Sequence, residues 1–360
     1  MENPHTSKRQ YEVNSITIPT LTLECGDTLE QVELVYERIG NTEGPVVLIC
    51  HALTGNHLVK GTPDCKGWWE GLIGANSYLN TDEYAILSFN VLGGNDGSTG
   101  PASINPATGQ PYGRHFPSVT VRDMVKAQYL ALKELSIPHL HAVIGGSLGG
   151  MQALEWGMMY PFFVDKVFAL AVTPALSDYG LAFNHIGIQA IESDPGFQSG
   201  DYSSGTLLKG LEIARMVGMV TYRTPRLFDD RFNREEAQSS FQVESYLNYQ
   251  GSKLSKRFDP NSYLTLLKAM NSHDLSRNRD CTLDDIAADY PTELITISYE
   301  GDLIYSPQYL ERFTIQVRSG RHYFVSTEFG HDGFLVEFEK WGSMISSHLK
   351  QYQPNRVVNG

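Results

Sequence analysis

Apolar and polar residues alternate along residues 11–39, in SITIPTLTLE and again in QVELVYERI. A period of two marks a strand with one wet face, so this stretch predicts an opening antiparallel hairpin. The next apolar segments do not alternate. PVVLIC at 45–50, YAILSFN at 84–90, HAVIGG at 141–146 and KVFALAVTP at 166–174 are continuous runs, the pattern of strands buried on both faces. Helical stretches separate them. Over 118–135, Val121, Val125, Leu132 and Leu135 recur near helical spacing behind Ser118, a candidate cap. MQALEWGMMY reads as a second helix. Strands alternating with helices predict an α/β fold, a mostly parallel sheet with helices on both faces.

The pattern changes near residue 176. As far as 289, LAFNHIGIQAIES, GLEIARMVGMVTYR, REEAQSSFQVESYLNYQ, SYLTLLKAMNSH and LDDIAADY read as helices, with almost no strand among them. Strands return at TELITISYEGD and RHYFVSTEFGHDGF, and EFEKWGSMISSHLKQY predicts a closing helix. The simplest organisation is one α/β core, residues 1–175 and 290–360, carrying a helical insertion over 176–289 that serves as a lid.

Composition narrows the possible functions. Apolar residues at 41% and charged residues at 19% fit a globular chain and exclude a disordered one. The net charge is −13, and no cluster of Lys and Arg would line a phosphate-binding groove, so no nucleic-acid partner is expected. Cys25, Cys50, Cys65 and Cys281 form no C-x-x-C pair and stand beside no His cluster. They predict buried free thiols in a reducing compartment and no metal site. The start, MENPHTSKRQYEVNS, lacks the apolar core of a signal peptide. No apolar run approaches the roughly 18 residues of a membrane span. The expectation is a cytoplasmic protein with no membrane partner.

Candidate chemistry sits where HAVIGG meets the following helix. Gly145-Gly146-Ser147-Leu148-Gly149 fits G-x-S-x-G between a strand and a helix, the setting of a nucleophile elbow. Small neighbours allow the strained turn that lifts the Ser147 hydroxyl above the sheet edge. A serine nucleophile needs a base, and the base needs an orienting acid, in the chain order Ser, acid, His. Asp302 lies just past the strand in ITISYEGD and is favoured over Glu300 and Asp289. His331, in GHDGF, follows the last strand and precedes the last helix. His185, His273, His322 and His348 lie in helices or at a strand start and read as structural or solvated. Acyl transfer also needs an oxyanion hole. The N–H of Leu148, following the nucleophile, and that of Leu53, in HALTG, are the candidate donors. His51 reads as a turn organiser.

Longer motifs surround these residues. HALTGNH, GWWEGLIG, NVLGGNDGSTGPASINPATGQPYG, FPSVTVRDMVKAQ, IGGSLGGMQALEW, AFNHIGIQAI, ARMVGMVTYR and GHDGFL resemble homoserine O-acetyltransferases of the α/β-hydrolase superfamily, from about residue 15 to 345. One departure is local: the usual Ser-Asp-x-Leu-x-Pro-Pro stands here within YEGDLIYSP, with Asp302 still aligned.

The resemblance implies that acetyl-CoA is a co-substrate rather than a permanently bound cofactor. It would acylate Ser147, and the hydroxyl of L-homoserine would then take the acetyl group, a step of methionine biosynthesis. His331 would move the protons and Asp302 would hold its ring. The resemblance also implies a homodimer formed through the helical insertion. An amino-acid acceptor needs partners for its carboxylate and its ammonium. Arg215 lies in a mostly apolar helix, where an unpaired charge is costly. Tyr222 is seven residues on, on the same face, and Gly218 between them leaves room for a ligand. Arg215 and Tyr222 are therefore the candidate carboxylate site, and Asp332 the candidate ammonium site. An ion pair within the insertion for Arg215 and a helix cap for Asp332 are the alternatives. No phosphate motif marks a CoA site. Succinyl-CoA as donor, L-serine as acceptor, a carboxylesterase, and a non-catalytic binding protein are the rival functions.

Overall fold

The computed structural model describes residues 9–203, 205–237 and 240–350. Eight strands form the central sheet: β1 (Arg9–Thr22), β2 (Thr28–Asn41), β3 (Val46–Cys50), β4 (Ala85–Phe89), β5 (Leu140–Gly146), β6 (Val164–Leu170), β7 (Glu293–Tyr299) and β8 (Gly320–Val325). Their spatial order is β1-β2-β4-β3-β5-β6-β7-β8. β2 runs antiparallel to β1 and to β4, and the other neighbouring pairs are parallel. This is the α/β-hydrolase fold. The alternating stretch is the β1–β2 hairpin, and the continuous apolar runs are the parallel strands.

Those runs are continuous because successive side chains feed two cores. Leu48, Leu87, Val143 and Ala169 face one core, while Ile49, Ile86, Ile144 and Phe168 face the other. Strand order reverses at β3, which lies between β4 and β5. Loops leaving the carboxyl ends of β3 and β5 therefore part and open a crevice.

On the core, α1 (Val121–Glu134) and α2 (Leu148–Met159) pack together. Thr120, not Ser118, caps α1. Its hydroxyl accepts the Asp123 N–H, and the Asp123 carboxylate accepts the Thr120 N–H. The reciprocal box needs a carboxylate three residues after the cap. Asp123 stands at that distance from Thr120, whereas Ser118 finds Val121 there.

Between β6 and β7 the chain forms six α-helices among the described residues: α3 (Asp178–Glu192), α4 (Lys209–Thr221), α5 (Pro225–Phe232), α6 (Gln242–Ser255), α7 (Pro260–Asn271) and α8 (Leu283–Ala288). The segment 234–250 is not one helix. Asn233, in the left-handed conformation, ends α5, and a short antiparallel pair, Glu236–Ala237 with Ser240–Phe241, precedes α6. The end of the insertion is tied to the core by Glu155 on α2. Its carboxylate accepts Arg122 at 2.9 Å and Arg279 at 2.6 Å. After β7 come α9 (Pro307–Gln316) and, past β8, α10 (Phe338–Lys350).

The four cysteines are free, but only Cys50 is buried. Cys25 and Cys65 are exposed in turns, and Cys281 is half-buried. No helix among the described residues is long and apolar enough to cross a membrane.

Candidate active site

β5 ends at Gly146 and α2 begins at Leu148, leaving Ser147 alone to make the turn. Its φ of 58° and ψ of −124° are costly for any residue with a Cβ, by about 1–3 kcal/mol. The flanking glycines are explained by contact. A Cβ on Gly145 would lie 2.1 Å from the Gly149 carbonyl oxygen, and one on Gly149 would lie 2.0 Å from that of Cys50. A Cβ on Gly146 would meet the Phe334 ring at 2.3 Å. Backbone cannot yield as a side chain can, so Gly149→Ala destabilises the protein by about 3 kcal/mol or more. Urea denaturation checks this; a loss below about 1 kcal/mol would contradict such tight packing.

The turn points Ser147 at the loop after β8. Ser147 Oγ lies 2.9 Å from His331 Nε2, and His331 Nδ1 lies 2.8 Å from Asp302 Oδ2. Asp302 Oδ1 accepts the N–H groups of Ile304 and Tyr305, each at 2.9 Å. All three side chains are buried, with exposures of 6%, 3% and 8% for Ser147, His331 and Asp302. Burial pulls the His331 pKa down, but the charge and hydrogen bond of Asp302, with Asp332 behind, outweigh it and the net shift is upward. The sequence order thus becomes a continuous relay: acid, imidazole, hydroxyl. Glu300 instead accepts the Ser326 hydroxyl at the surface, and exposed Asp289 terminates α8.

Leu53 lines the cavity that opens at Ser147. Among the described residues, the N–H groups of Leu53 and Leu148 donate to no protein acceptor. His51 organises this loop, accepting the Val91 N–H at Nε2 and contacting the Ala52 carbonyl with Nδ1. His273 and His322 hydrogen-bond Thr173 and Thr296 respectively, His348 meets the Tyr323 hydroxyl, and His185 is exposed on α3.

Helices α3, α4 and α7 roof the cavity, supplying Asn184, Tyr222 just past α4, and Tyr263. Arg215 and Tyr222 do come together: the guanidinium lies 5.7 Å from the centre of the Tyr222 ring. That ring is in turn 5.7 Å from the His331 ring. Among the described residues no carboxylate pairs with Arg215. Gly218 does line the cavity, as expected, but the space beside it is shared with the Tyr222 hydroxyl, which a Cβ there would meet at 2.9 Å. The ring folds back over the glycine.

Asp332 is not a helix cap. Its carboxylate pairs with Arg223 at 3.2 Å, and its N–H donates to the Tyr222 carbonyl at 3.0 Å. Thr224 donates its hydroxyl to the Glu328 carbonyl at 2.6 Å. Three successive insertion residues, 222 to 224, are therefore fastened to the loop that carries His331. Burial raises the Asp332 pKa against the lowering pull of His331 and Arg223.

Sequence reasoning missed Arg223, Tyr263 and Tyr305. Arg223 adjoins Tyr222 in the same motif and could have been weighed with it. Tyr263 and Tyr305 belong to apolar stretches whose pattern marks burial and says nothing of a cavity. Among the described residues no group of His, Cys, Asp or Glu is placed to hold a metal ion.

A family model described as the alpha/beta hydrolase fold matches residues 45–334. The homoserine O-acetyltransferase of Carboxydothermus hydrogenoformans is 41% identical, over 96% of this chain and 97% of its own. The homoserine O-succinyltransferase of Hahella chejuensis is 40% identical, over 92% of this chain and 91% of its own. The crystal structure of homoserine O-acetyltransferase from Staphylococcus aureus matches with a TM-score of 0.80 at 34% identity, over 96% of this chain and 98% of that one.

Proposed function

Because the chain belongs to the homoserine O-acetyltransferase family, we propose that it carries an acetyl group from acetyl-CoA to the side-chain hydroxyl of L-homoserine through an ester on Ser147. His331 Nε2 takes the Ser147 proton as Oγ attacks the thioester carbonyl. The C–S bond breaks, and the same proton leaves with the CoA thiol. The homoserine hydroxyl then loses its proton to His331 and attacks the ester, and Oγ recovers a proton as the C–Oγ bond breaks. Asp302 keeps the imidazole in the required tautomer and stabilises the imidazolium. The Leu53 and Leu148 N–H groups hold each tetrahedral oxyanion.

The observation that carries this reading is an Arg215 guanidinium with no carboxylate partner among the described residues, set against Tyr222 beside a complete serine relay. A bidentate arginine suits the acceptor's carboxylate. Asp332, with Arg223 already on one oxygen, takes the ammonium with the other. A roof over the serine keeps water from competing with the acceptor. We place the reaction in the cytoplasm, as a step toward methionine, with two subunits joined through the insertion.

The succinyltransferase relative favours a second reading, with succinyl-CoA as donor. A kinetic panel of acetyl-, propionyl- and succinyl-CoA against homoserine and serine separates the possibilities. The expected result is highest kcat/KM for acetyl-CoA with homoserine and parallel double-reciprocal lines. Converging lines would exclude a free acyl-enzyme. Preference for succinyl-CoA would change the donor, and hydrolysis of acetyl-CoA as fast as transfer would make the protein an esterase.

A further inference from the structure

The cavity over Ser147 holds a hydroxyl that the relay does not use. Tyr305 belongs to the loop that wraps Asp302, and its own N–H is one of the two bound by Asp302 Oδ1. This sets the Tyr305 side chain, 2% exposed, with its ring edge-on to His331 at 5.1 Å between centroids. Its hydroxyl is turned toward Ser147, but in a contact too loose for regular hydrogen-bond geometry, and it has no other partner among the described residues. A buried hydroxyl without a well-formed hydrogen bond is destabilising unless some state of the protein completes one. Burial, and then the charge of Asp302, push the phenol well above its ordinary pKa. It is therefore a proton-retaining donor across the neutral range.

We infer that Tyr305 is a catalytic donor aimed at Ser147 Oγ at the moment that oxygen becomes a leaving group. The inference rests on the acyl-enzyme reading above. In the ester, Oγ is a weak acceptor. As the acceptor hydroxyl adds to the acyl carbon and the C–Oγ bond breaks, the electron pair of that bond collects on Oγ. The Tyr305 O–H bond to Oγ strengthens as that charge grows, so it stabilises the transition state more than the ester. The proton that finally reaches Oγ comes from His331 Nε2, and Tyr305 keeps its own. In the first half-reaction the charge moves the other way, from Oγ into the thioester carbonyl, and the same hydrogen bond gives no advantage.

Tyr305→Phe removes the hydroxyl and keeps the ring against His331. With p-nitrophenyl acetate as donor and homoserine as acceptor, the nitrophenolate burst reads acylation. Loss of the acetyl mass from the intact protein reads transfer. Acylation by the variant is expected within about twofold of the unmodified protein, and transfer about tenfold slower, so the acetylated form accumulates. Its melting temperature is expected to be unchanged or higher. Equal loss in both steps, or no change in either, overturns the role of Tyr305. If the unmodified protein itself gains no acetyl mass, the acyl-enzyme reading falls and the inference falls with it. If it acylates and transfers while the variant partitions identically, only the inference falls.

Discussion

Replacing Ser147 by alanine is expected to lower acyl transfer to homoserine by about 10⁴–10⁶-fold. Among the described residues the Ser147 hydroxyl is the nucleophile that His331 Nε2 contacts, at 2.9 Å. Without it the remaining groups can polarise a thioester but have nothing to attach the acyl group to. The fold should survive. Alanine bears the strain of φ 58° no worse than serine, and the bonds from Ser147 N–H to the Leu170 carbonyl and from Met151 N–H to the Ser147 carbonyl are backbone only. Thiol release from acetyl-CoA, measured beside a thermal melt, checks both halves. A variant that keeps more than about 1% of the activity with an unchanged melt would mean that Ser147 carries no acyl group.

Asp302→Asn should cost nearly as much, about 10⁴-fold in kcat. Asp302 Oδ1 accepts two backbone N–H groups while Oδ2 meets His331 Nδ1. An asparagine can satisfy those two donors only with its carbonyl oxygen, which turns its NH₂ toward His331. The imidazole must then accept at Nδ1 and hold its proton on Nε2, where it faces Ser147 and cannot act as a base. The pH profile should change as well. Transfer needs neutral His331, so the rate falls as pH drops through its pKa. In the unmodified protein that pKa is raised, because Asp302 overcomes burial. With the charge gone, burial prevails and the acid limb moves to lower pH. A limb that stays in place would show that Asp302 does not set the His331 pKa.

The relay was readable because each member sits at a junction that the hydrophobic pattern marks: strand to helix for Ser147, strand to loop for Asp302, last strand to last helix for His331. Position along the chain decided among several acids and histidines, and the geometry agrees. The acceptor side was less readable. Arg215 and Tyr222 are close in sequence, and one helical face unites them. The partner of Asp332, Arg223, lies more than a hundred residues away, and no local pattern links the two. Gly218 was legible from the same helical face and lines the cavity, but the spacing could not show that the Tyr222 ring folds back against it. The short strand pair before α6 was hidden by good helix formers in REEAQ, which the left-handed residue Asn233 separates from the preceding helix.

The fastening of residues 222–224 to the His331 loop has a mechanical meaning. An insertion over an active site is readily pictured as a hinged door, closing on a catalyst that is always armed. Here the door is wired to the firing pin. Lifting this edge would pull on the Asp332 N–H and carboxylate and on the Glu328 carbonyl, and so draw the neighbouring His331 away from Asp302 and Ser147. The edge of the insertion and the base of the relay therefore form one mechanical unit, and any displacement of the one is transmitted through these bonds to the other.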